Sequence, residues 1–243
     1  MRHQLIKTPK HNFVFFDCDY IGRHIKRDGF WEPHFNEVIN LIDEGSTIID
    51  IGANFGYNTV LMAKKTGPTG KVLAYEPQRL MFQQLNANCV INDIFNCHCY
   101  NLAVSNESNQ QLEMETISYA DDCVNIGALS IGTGGEKVKT LAIDDLNLDK
   151  LDFMKIDAQG YEPFILEGAR KTLLKFLPDI FIEIEDEYLQ RFNKTPDHIY
   201  EFLDSCCYKI YNIKNDWPFD YICTVKSKVE MLNLPLYRMI KSA

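Results

Sequence analysis

A short apolar strand that runs into a glycine-containing loop constrains the fold more than any other part of the sequence. Residues 47–51 (TIIDI) are apolar and mostly β-branched, which is typical of a strand buried on both faces of a parallel sheet. Gly52 and Gly56 follow, and because glycine has no Cβ the backbone can turn sharply there and approach a ligand closely. Asp50 and Asn54 place polar groups at this turn. The segment therefore predicts a βα unit with a nucleotide-like ligand at the carboxyl end of its strand.

An acidic residue ends the next predicted strand. Residues 71–76 (KVLAYE) finish on Glu76, twenty positions beyond Gly56. A carboxylate at this point can accept hydrogen bonds from both hydroxyls of a ribose. The glycines do not follow the G-x-G-x-x-G spacing of dinucleotide-binding loops, which speaks against an NAD-linked oxidoreductase.

Three motifs follow one another along the chain: DIGANFGY at residues 50–57, KIDAQGYE at residues 155–162 and EGA at residues 167–169. In this order they resemble the FkbM-type family of class I S-adenosylmethionine-dependent methyltransferases, and the likeness spans about residues 31–225. It implies a Rossmann-like fold, S-adenosylmethionine as the cofactor and methyl transfer as the reaction. Gln159 stands where the family often has Glu, and an amide cannot act as a general base.

The resemblance also implies positions for the cofactor-binding residues. Asp50, Gly52, Asn54 and Gly56 are expected around the methionine part, and Glu76 on the ribose. The adenine would lie near Asn101 and Ala103, and the remaining candidates are Trp31, Asn58 and Asp157. Trp31 is expected either to stack on the adenine or on a sugar, or to anchor the N-terminal segment in the core.

Carboxylates are the candidate catalytic groups. Attack by a hydroxyl requires loss of its proton, which calls for a base or a metal ion. Asp157 follows the fourth predicted strand, and Glu183 and Glu185 end the fifth; we predict these three as catalytic residues, with His34, His98 and His198 as further candidate bases. The same carboxylates could bind a divalent cation such as Mg²⁺, although acidic residues at 183–187 are also typical of a solvated helix start.

Strands and helices alternate along the chain as a doubly wound sheet requires. We predict an α/β fold with a mostly parallel seven-stranded sheet, formed by residues 47–51, 71–76, 95–100, 151–157, 179–185, 208–213 and 219–225. The resemblance implies that the last strand is antiparallel. Helices are predicted at residues 33–43, 57–65, 78–92, 162–176 and 197–205, and residues 117–136 form a glycine-rich loop that is either a surface excursion or an active-site lid.

The predicted organisation is one catalytic core with an N-terminal extension. Residues 1–45 form the extension and residues 46–243 form the core. The resemblance implies that the extension, with its first helix, covers the cofactor. The net charge of −9 speaks against a nucleic-acid partner. No stretch is long and apolar enough for a membrane span, and we expect a cytoplasmic protein.

The eight cysteines do not show the spacing of a disulfide framework. Cys97 and Cys99 would share one face of a strand while His98 points to the other, so this triplet alone does not make a metal site. Free thiols are the favoured interpretation.

The most plausible function at this level is O-methylation of a hydroxyl on a sugar, a glycan residue or another small metabolite, because members of the resembled family methylate sugars and polyketides. N-methylation remains an alternative. A non-catalytic binding domain that keeps the fold is a second one, since Gln159 replaces an expected acid.

Overall fold

An eight-stranded sheet forms the centre of the molecule. The computed structural model describes residues 2–116, 129–132, 134–214, 218–226, 229 and 232–239. In spatial order the strands are β5 (Cys97–Tyr100), β4 (Lys71–Tyr75), β3 (Thr47–Ile51), β9 (Phe153–Ile156), β10 (Asp179–Glu183), β12 (Asp220–Thr224), β11 (Lys209–Ile213) and β13 (Leu236–Met239). The first five run parallel, whereas β12 is antiparallel to both of its neighbours.

The predicted doubly wound sheet is confirmed. Each of the seven expected strands lies close to its predicted position, and the last of them, β12, is the antiparallel one. The eighth strand, β13, was not predicted; it pairs antiparallel with β11 and extends that edge of the sheet.

Helices cover both faces of the sheet, as expected for central strands that are mostly apolar. Ile48 packs with α3 (Tyr57–Thr66) on one face, where α4 (Arg79–Ile91) also lies. Its neighbour Ile49 packs on the other face in the cluster that includes α5 (Glu162–Glu167), α6 (Arg170–Phe176) and α8 (Pro196–Ser205). Among the helices of the described residues, none combines the length and the apolar character needed to cross a bilayer.

Two predicted helices are shorter than expected. The helix predicted at residues 33–43 is limited to α2 (Phe35–Val38) and a 3₁₀ turn (Ile39–Leu41). The helix predicted at residues 162–176 breaks into α5 and α6 because Asp144 accepts hydrogen bonds from the backbone N–H groups of Lys171 and Thr172, at 3.0 and 2.8 Å. This carboxylate satisfies donors at the start of a new helix, which a sequence pattern for one continuous helix does not reveal.

The N-terminal segment forms a hairpin and a helix that pack on the helices of the core. β1 (His3–Lys7) pairs with β2 (Asn12–Phe16), and α1 (Tyr20–Asp28) follows. Asn88 of α4 binds both backbone groups of Val14 in β2, through Oδ1 at 2.6 Å and Nδ2 at 2.9 Å. Asn92, one helical turn further on, binds Asn12 in the same way. These side chains anchor the hairpin to the core.

A small second sheet was not predicted from the sequence. It consists of β6 (Ala103–Val104), β8 (Glu136–Leu141) and β7 (Gln111–Met114). Of the glycine-rich loop predicted at residues 117–136, residues 117–128 and 133 lie outside the described residues. Within the rest, Ile131 forms a β-bridge with Met114, and Glu136 begins β8.

Candidate active site

Three strand ends meet at one edge of the central sheet. The last residues of β4, β3 and β9 pair in register, so Gly52, Glu76 and Asp157 follow them side by side. The chain order reverses at this point, because β4 lies on one side of β3 and β9 on the other. Open α/β sheets bind their ligands in the crevice outside such a reversal.

The loop after β3 is packed tightly between β9 and α4. Gly52 has a φ of +73°, and a Cβ added to it would lie 1.8 Å from the carbonyl oxygen of Asp157. Gly56 has a φ of +92°, and its added Cβ would lie 2.6 Å from Cδ1 of Leu85 on α4. Both positions combine a left-handed backbone with a close approach, which explains the two glycines of the motif.

Glu76 is held at this edge by backbone donors. Its carboxylate accepts hydrogen bonds from the N–H groups of Asn54 at 2.7 Å and Gln78 at 2.8 Å. Burial raises the pKa of Glu76 to about 7, against the opposing effect of these two donors. Each carboxylate oxygen keeps a second lone pair, so the group can still accept from the hydroxyls of a ligand.

Two cavities open at the strand ends and meet there. The smaller is lined by Glu76, by Ala103 and by apolar side chains that include Leu102, Val104, Met81 and Ile131. The larger, of about 400 Å³, lies between the strand ends and the N-terminal segment that carries Tyr20, Trp31, Glu32 and His34. Both cavities are lined by Gly52, Asn54, Asp157 and Gln159. These four residues therefore form the junction between them.

The predicted cofactor residues fall into three groups. Gly52, Asn54, Glu76, Ala103 and Asp157 line the smaller cavity, and Trp31 and Asn58 line only the larger one. The third group, Asp50, Gly56 and Asn101, lines neither cavity.

Two residues of the third group form hydrogen bonds behind the cavity walls. The buried Asp50 accepts a hydrogen bond from the hydroxyl of Thr59 at 2.5 Å, which links β3 to α3. Asn101 donates from Nδ2 to the carbonyl oxygens of Glu76 and Pro77, both at 2.9 Å. One carboxylate oxygen of Asp50 and the amide nitrogen of Asn101 therefore make their hydrogen bonds within the protein, and these bonds position the loops that line the cavities.

An amide bridges two of the predicted catalytic carboxylates. Nε2 of Gln159 donates to Oδ1 of Asp157 at 3.0 Å and to Oε2 of Glu183 at 2.9 Å. Asp157 and Glu183 both line the larger cavity. Gln159 therefore fits between two acids where a third carboxylate would add repulsion, and this explains the departure from the usual Glu at that position.

Glu185 lies apart from this bridge. It precedes α7 (Asp186–Gln190) and lines neither cavity, and Asp186 and Glu187 occupy the exposed first turn of that helix. Within the described ranges, the oxygens of Asp157, Glu183 and Glu185 do not form a group whose atoms all come within 4.8 Å of one another. The geometry of this part of the cluster is that of a helix start.

A buried lysine lies behind the carboxylates. Lys155 is 2% exposed, and its Nζ lies 3.1 Å from Oδ2 of Asp157 and 4.0 Å from Oδ1 of Asp50. Burial alone would lower the pKa of Lys155, but the carboxylates of Asp157, Asp50 and Glu32 together raise it. The side chain therefore stays charged and neutralises the acids around it.

A second buried charge cluster faces the larger cavity from the N-terminal side. Nε2 of His34 lies 2.7 Å from Oδ2 of Asp220, and both side chains are buried. Glu32 accepts from the indole of Trp31 and from Nδ2 of Asn58, each at 2.9 Å. Burial, with Asp220 as the next largest cause, raises the pKa of Glu32 to about 7. A carboxyl group with such a pKa can gain or lose a proton near neutral pH.

Sequence reasoning singled out only part of this cluster. His34 was a candidate base and lines the larger cavity, whereas His98 is exposed on β5 and His198 forms a capping box with Thr195. Glu32 and Lys155 were not assigned a role. The signal for Lys155 was a lone charge within an otherwise apolar strand (FMKI), which requires buried partners.

Comparison with known proteins places the chain in a family. The model of the methyltransferase FkbM domain matches residues 50–210, about two thirds of the chain. The chain belongs to the FkbM methyltransferase family. The matched range of this FkbM domain includes Gly52, Glu76 and Asp157 but not Glu32, His34 or Asp220. The acids and the histidine on the N-terminal side of the larger cavity therefore lie outside the part that defines the family.

Two relatives illustrate the likeness. A protein named methyltransferase 1 from Beauveria bassiana (strain ARSEF 2860) is 22% identical over 165 residues, covering 59% of this chain and 66% of that protein. The crystal structure of methyltransferase FkbM from Methylobacillus flagellatus KT matches with a TM-score of 0.50 at 16% identity, covering 74% of this chain and 44% of that one. The chain thus spans about two thirds or less of the length of these relatives. The structural match shows a shared fold.

The buried carboxyl groups predict how the stability of the FkbM domain depends on pH. The pKa values of Glu32, Glu76 and Glu162 are each raised to about 7, with burial as the largest cause. Because the native state then binds more protons than the unfolded state between about pH 4.5 and 7, stability falls as the pH rises through this window. We expect the free energy of unfolding to be larger at about pH 6 than at about pH 8, by roughly 1 kcal/mol for each group. Urea unfolding at the two values measures this.

The variant Glu76→Gln provides the control, since it removes one titrating group and should reduce the difference between the two pH values. An unchanged or larger difference would contradict the assignment of a raised pKa to Glu76. His11, whose pKa burial and nearby lysines lower to about 4, acts in the opposite sense below about pH 6.5.

Proposed function

We propose that this protein is an S-adenosylmethionine-dependent methyltransferase that methylates a hydroxyl group on a sugar, a glycan residue or another small metabolite. The observation that carries the proposal is the junction of the two cavities at Gly52, Asn54, Asp157 and Gln159. A methyltransferase must bring a cofactor and an acceptor together at one point. The two compartments of this site meet at such a point, between carboxylates.

The smaller cavity suits the adenosine part of the cofactor. It combines the carboxylate of Glu76, which can accept from ribose hydroxyls, with apolar walls from Leu102, Val104 and Ile131 that can hold a flat base. Ala103 lines the same wall, and Asn101 holds the backbone of Glu76. The methionine part would lie near Gly52 and Asn54, where the junction opens into the larger cavity.

The larger cavity suits a small polar acceptor with an apolar face. Its volume of about 400 Å³ is within the usual range of small-molecule sites, and Tyr20, Trp31 and Tyr188 offer aromatic surface. Sugars combine an apolar ring face with hydroxyl groups. The aromatic rings would pack on that face, and the carboxylates of Glu32, Asp157 and Glu183 would accept from the hydroxyls.

The residues at the junction would perform two tasks. When bound, S-adenosylmethionine would supply an electrophilic methyl group on a sulfonium centre. Asp157 and Glu183, held in place by Gln159 and Lys155, orient the hydroxyl of the acceptor and restrict access of water. Glu32, whose pKa lies near 7, takes up the hydroxyl proton as general base.

The first test concerns the cofactor. Glu76→Ala should weaken the binding of S-adenosylmethionine at least about tenfold, because it removes charge-assisted hydrogen bonds to the ribose. Isothermal calorimetry measures the affinity, and Glu107→Ala, which changes an exposed glutamate outside the cavities, is the matched control. Equal affinities of the wild type and Glu76→Ala for S-adenosylmethionine would show that Glu76 does not bind the cofactor.

The second test concerns the reaction. Purified protein is incubated with methyl-labelled S-adenosylmethionine and a panel of sugars, glycans and amines, and labelled products are identified by mass spectrometry. A labelled O-methyl product that Glu32→Gln makes about a hundredfold more slowly supports the proposal. A product labelled on nitrogen would favour N-methylation instead. Cofactor binding without transfer to any acceptor would favour the non-catalytic alternative.

A further inference from the structure

Three cysteine side chains converge at the edge of the central sheet, away from the two cavities. Cys97 and Cys99 lie two residues apart on the edge strand β5, and both point to the face that α4 covers. α4 contributes Cys89, which lies in the buried cluster beneath them. We refer to Cys89, Cys97 and Cys99 as the thiol cluster.

The sulfur atoms of the thiol cluster have the spacing of ligands around one metal ion. Sγ of Cys99 lies 3.9 Å from Sγ of Cys89 and 3.7 Å from Sγ of Cys97, and the three atoms all lie within 4.8 Å of one another. Two thiolates bound to Zn²⁺ at about 2.3 Å in tetrahedral geometry are about 3.8 Å apart. The observed spacing therefore fits a shared cation with little movement of the backbone.

The surroundings of the cluster also fit a metal site. The cysteines are free thiols in this structure, and Cys97 and Cys99 are only partly buried, so an ion can reach them from solvent. Apolar side chains of Leu85, Phe82 and Ile94 pack around the cluster. Within the described residues, the ligand atoms of the thiol cluster all lie within 4.8 Å of one another, whereas the carboxylate oxygens of the acidic cluster near β10 do not.

We propose that Cys89, Cys97 and Cys99 form a binding site for one soft, thiophilic cation of the Zn²⁺ type, with water as the fourth ligand. Sulfur ligands select such cations over Mg²⁺ or Ca²⁺. Coordination converts bound thiols to thiolates, and their protons pass to solvent. The bound ion ties α4 to the edge strand β5. Because Cys89 also packs near Ala53 of the glycine loop, this stabilises the rear wall of the site formed by Gly52 and Asn54.

Cadmium titration of the reduced protein tests the proposal, because sulfur-to-cadmium charge transfer gives an ultraviolet band. We expect the band to saturate at one equivalent and Zn²⁺ to displace the cadmium. Either ion should raise the melting temperature, since it binds the native state preferentially. Substitution of all three cluster cysteines by serine should abolish the band, although five other cysteines remain in the chain.

Matched single variants separate the cluster from the other thiols. Cys99→Ser should lower the cadmium affinity at least about tenfold, because one of three thiolate ligands is lost. Cys207→Ser, which removes an exposed thiol outside the cluster, should leave affinity and stoichiometry unchanged. A charge-transfer band that persists in the triple variant, or the absence of any band in the wild type, would overturn the proposal. Retained helical circular dichroism in each variant excludes misfolding as the cause.

Discussion

Replacing Lys155 with methionine is expected to lower the free energy of unfolding by about 3–5 kcal/mol, the range measured when one partner of a buried ion pair is removed. Lys155 is almost completely buried, and its Nζ lies 3.1 Å from Asp157 and 4.0 Å from Asp50. Methionine is similar in length to lysine but is uncharged and apolar, so it fills the same space without the charge. The loss then reflects the fully buried carboxylate of Asp50 and the 29% exposed carboxylate of Asp157, which are left without a cation.

Chemical unfolding of Lys155→Met against wild type at one pH measures this effect. Lys150→Met is the matched control, because Lys150 also pairs with a carboxylate, Asp152 at 3.1 Å, but is 54% exposed. An exposed pair of this kind contributes at most about 1 kcal/mol. Adding Asp157→Asn to Lys155→Met should recover part of the loss, since it removes one of the unpaired charges. Equal effects of the two lysine substitutions would show that the buried cation does not support the site.

Replacing Gly52 with alanine should have the second large effect. The new Cβ would lie 1.8 Å from the backbone carbonyl oxygen of Asp157, and the φ of +73° disfavours any residue with a Cβ. The left-handed conformation alone costs about 1–2 kcal/mol. Because the clashing atom belongs to the backbone, the ends of β3 and β9 must also separate, and we expect a total loss of several kcal/mol.

The same movement would open the junction of the two cavities, so S-adenosylmethionine binding by the folded fraction of Gly52→Ala should fall at least about tenfold by calorimetry. Gly29→Ala is the control: its φ is +84°, but an added Cβ would meet no atom within 4 Å. The difference in the free energy of unfolding between the two variants measures the steric clash, because both glycines have the left-handed conformation and only Gly52 has the close contact. A Gly52→Ala protein that is no less stable than Gly29→Ala would contradict the close approach of β3 and β9.

The elements that could be predicted from sequence are those with a strong local pattern. Most of the seven strands are apolar runs bounded by turn residues, and the glycine loop is recognisable from its two glycines after such a run. The elements that were missed depend on partners distant in sequence. The hairpin of β1 and β2 is held by Asn88 and Asn92, and the break between α5 and α6 depends on Asp144. No local pattern contains these contacts.

The candidate site divides along the same line. One side consists of residues that follow the adjacent strands β4, β3 and β9, so the motifs alone brought Gly52, Glu76 and Asp157 together in the prediction. The other side combines Glu32 and His34 from the N-terminal segment with Asp220 from β12, nearly two hundred residues later. No local sequence pattern links such positions, because they come close together only when the chain folds.

The sequence by itself determined the strands of the core, the family and the edge of the sheet at which Gly52, Glu76 and Asp157 lie, since periodicity and glycine positions are local properties of the chain. Only the tertiary structure decided which polar groups are occupied within the protein and which face a cavity. It showed that Asp50 and Asn101 make hydrogen bonds within the protein, that Gln159 bridges two carboxylates, and that three thiols from α4 and β5 come together at one edge of the sheet. The reason is physical: hydrogen-bond partners, burial and charge neutralisation depend on distances between chain segments, and those distances exist only after the strands have paired.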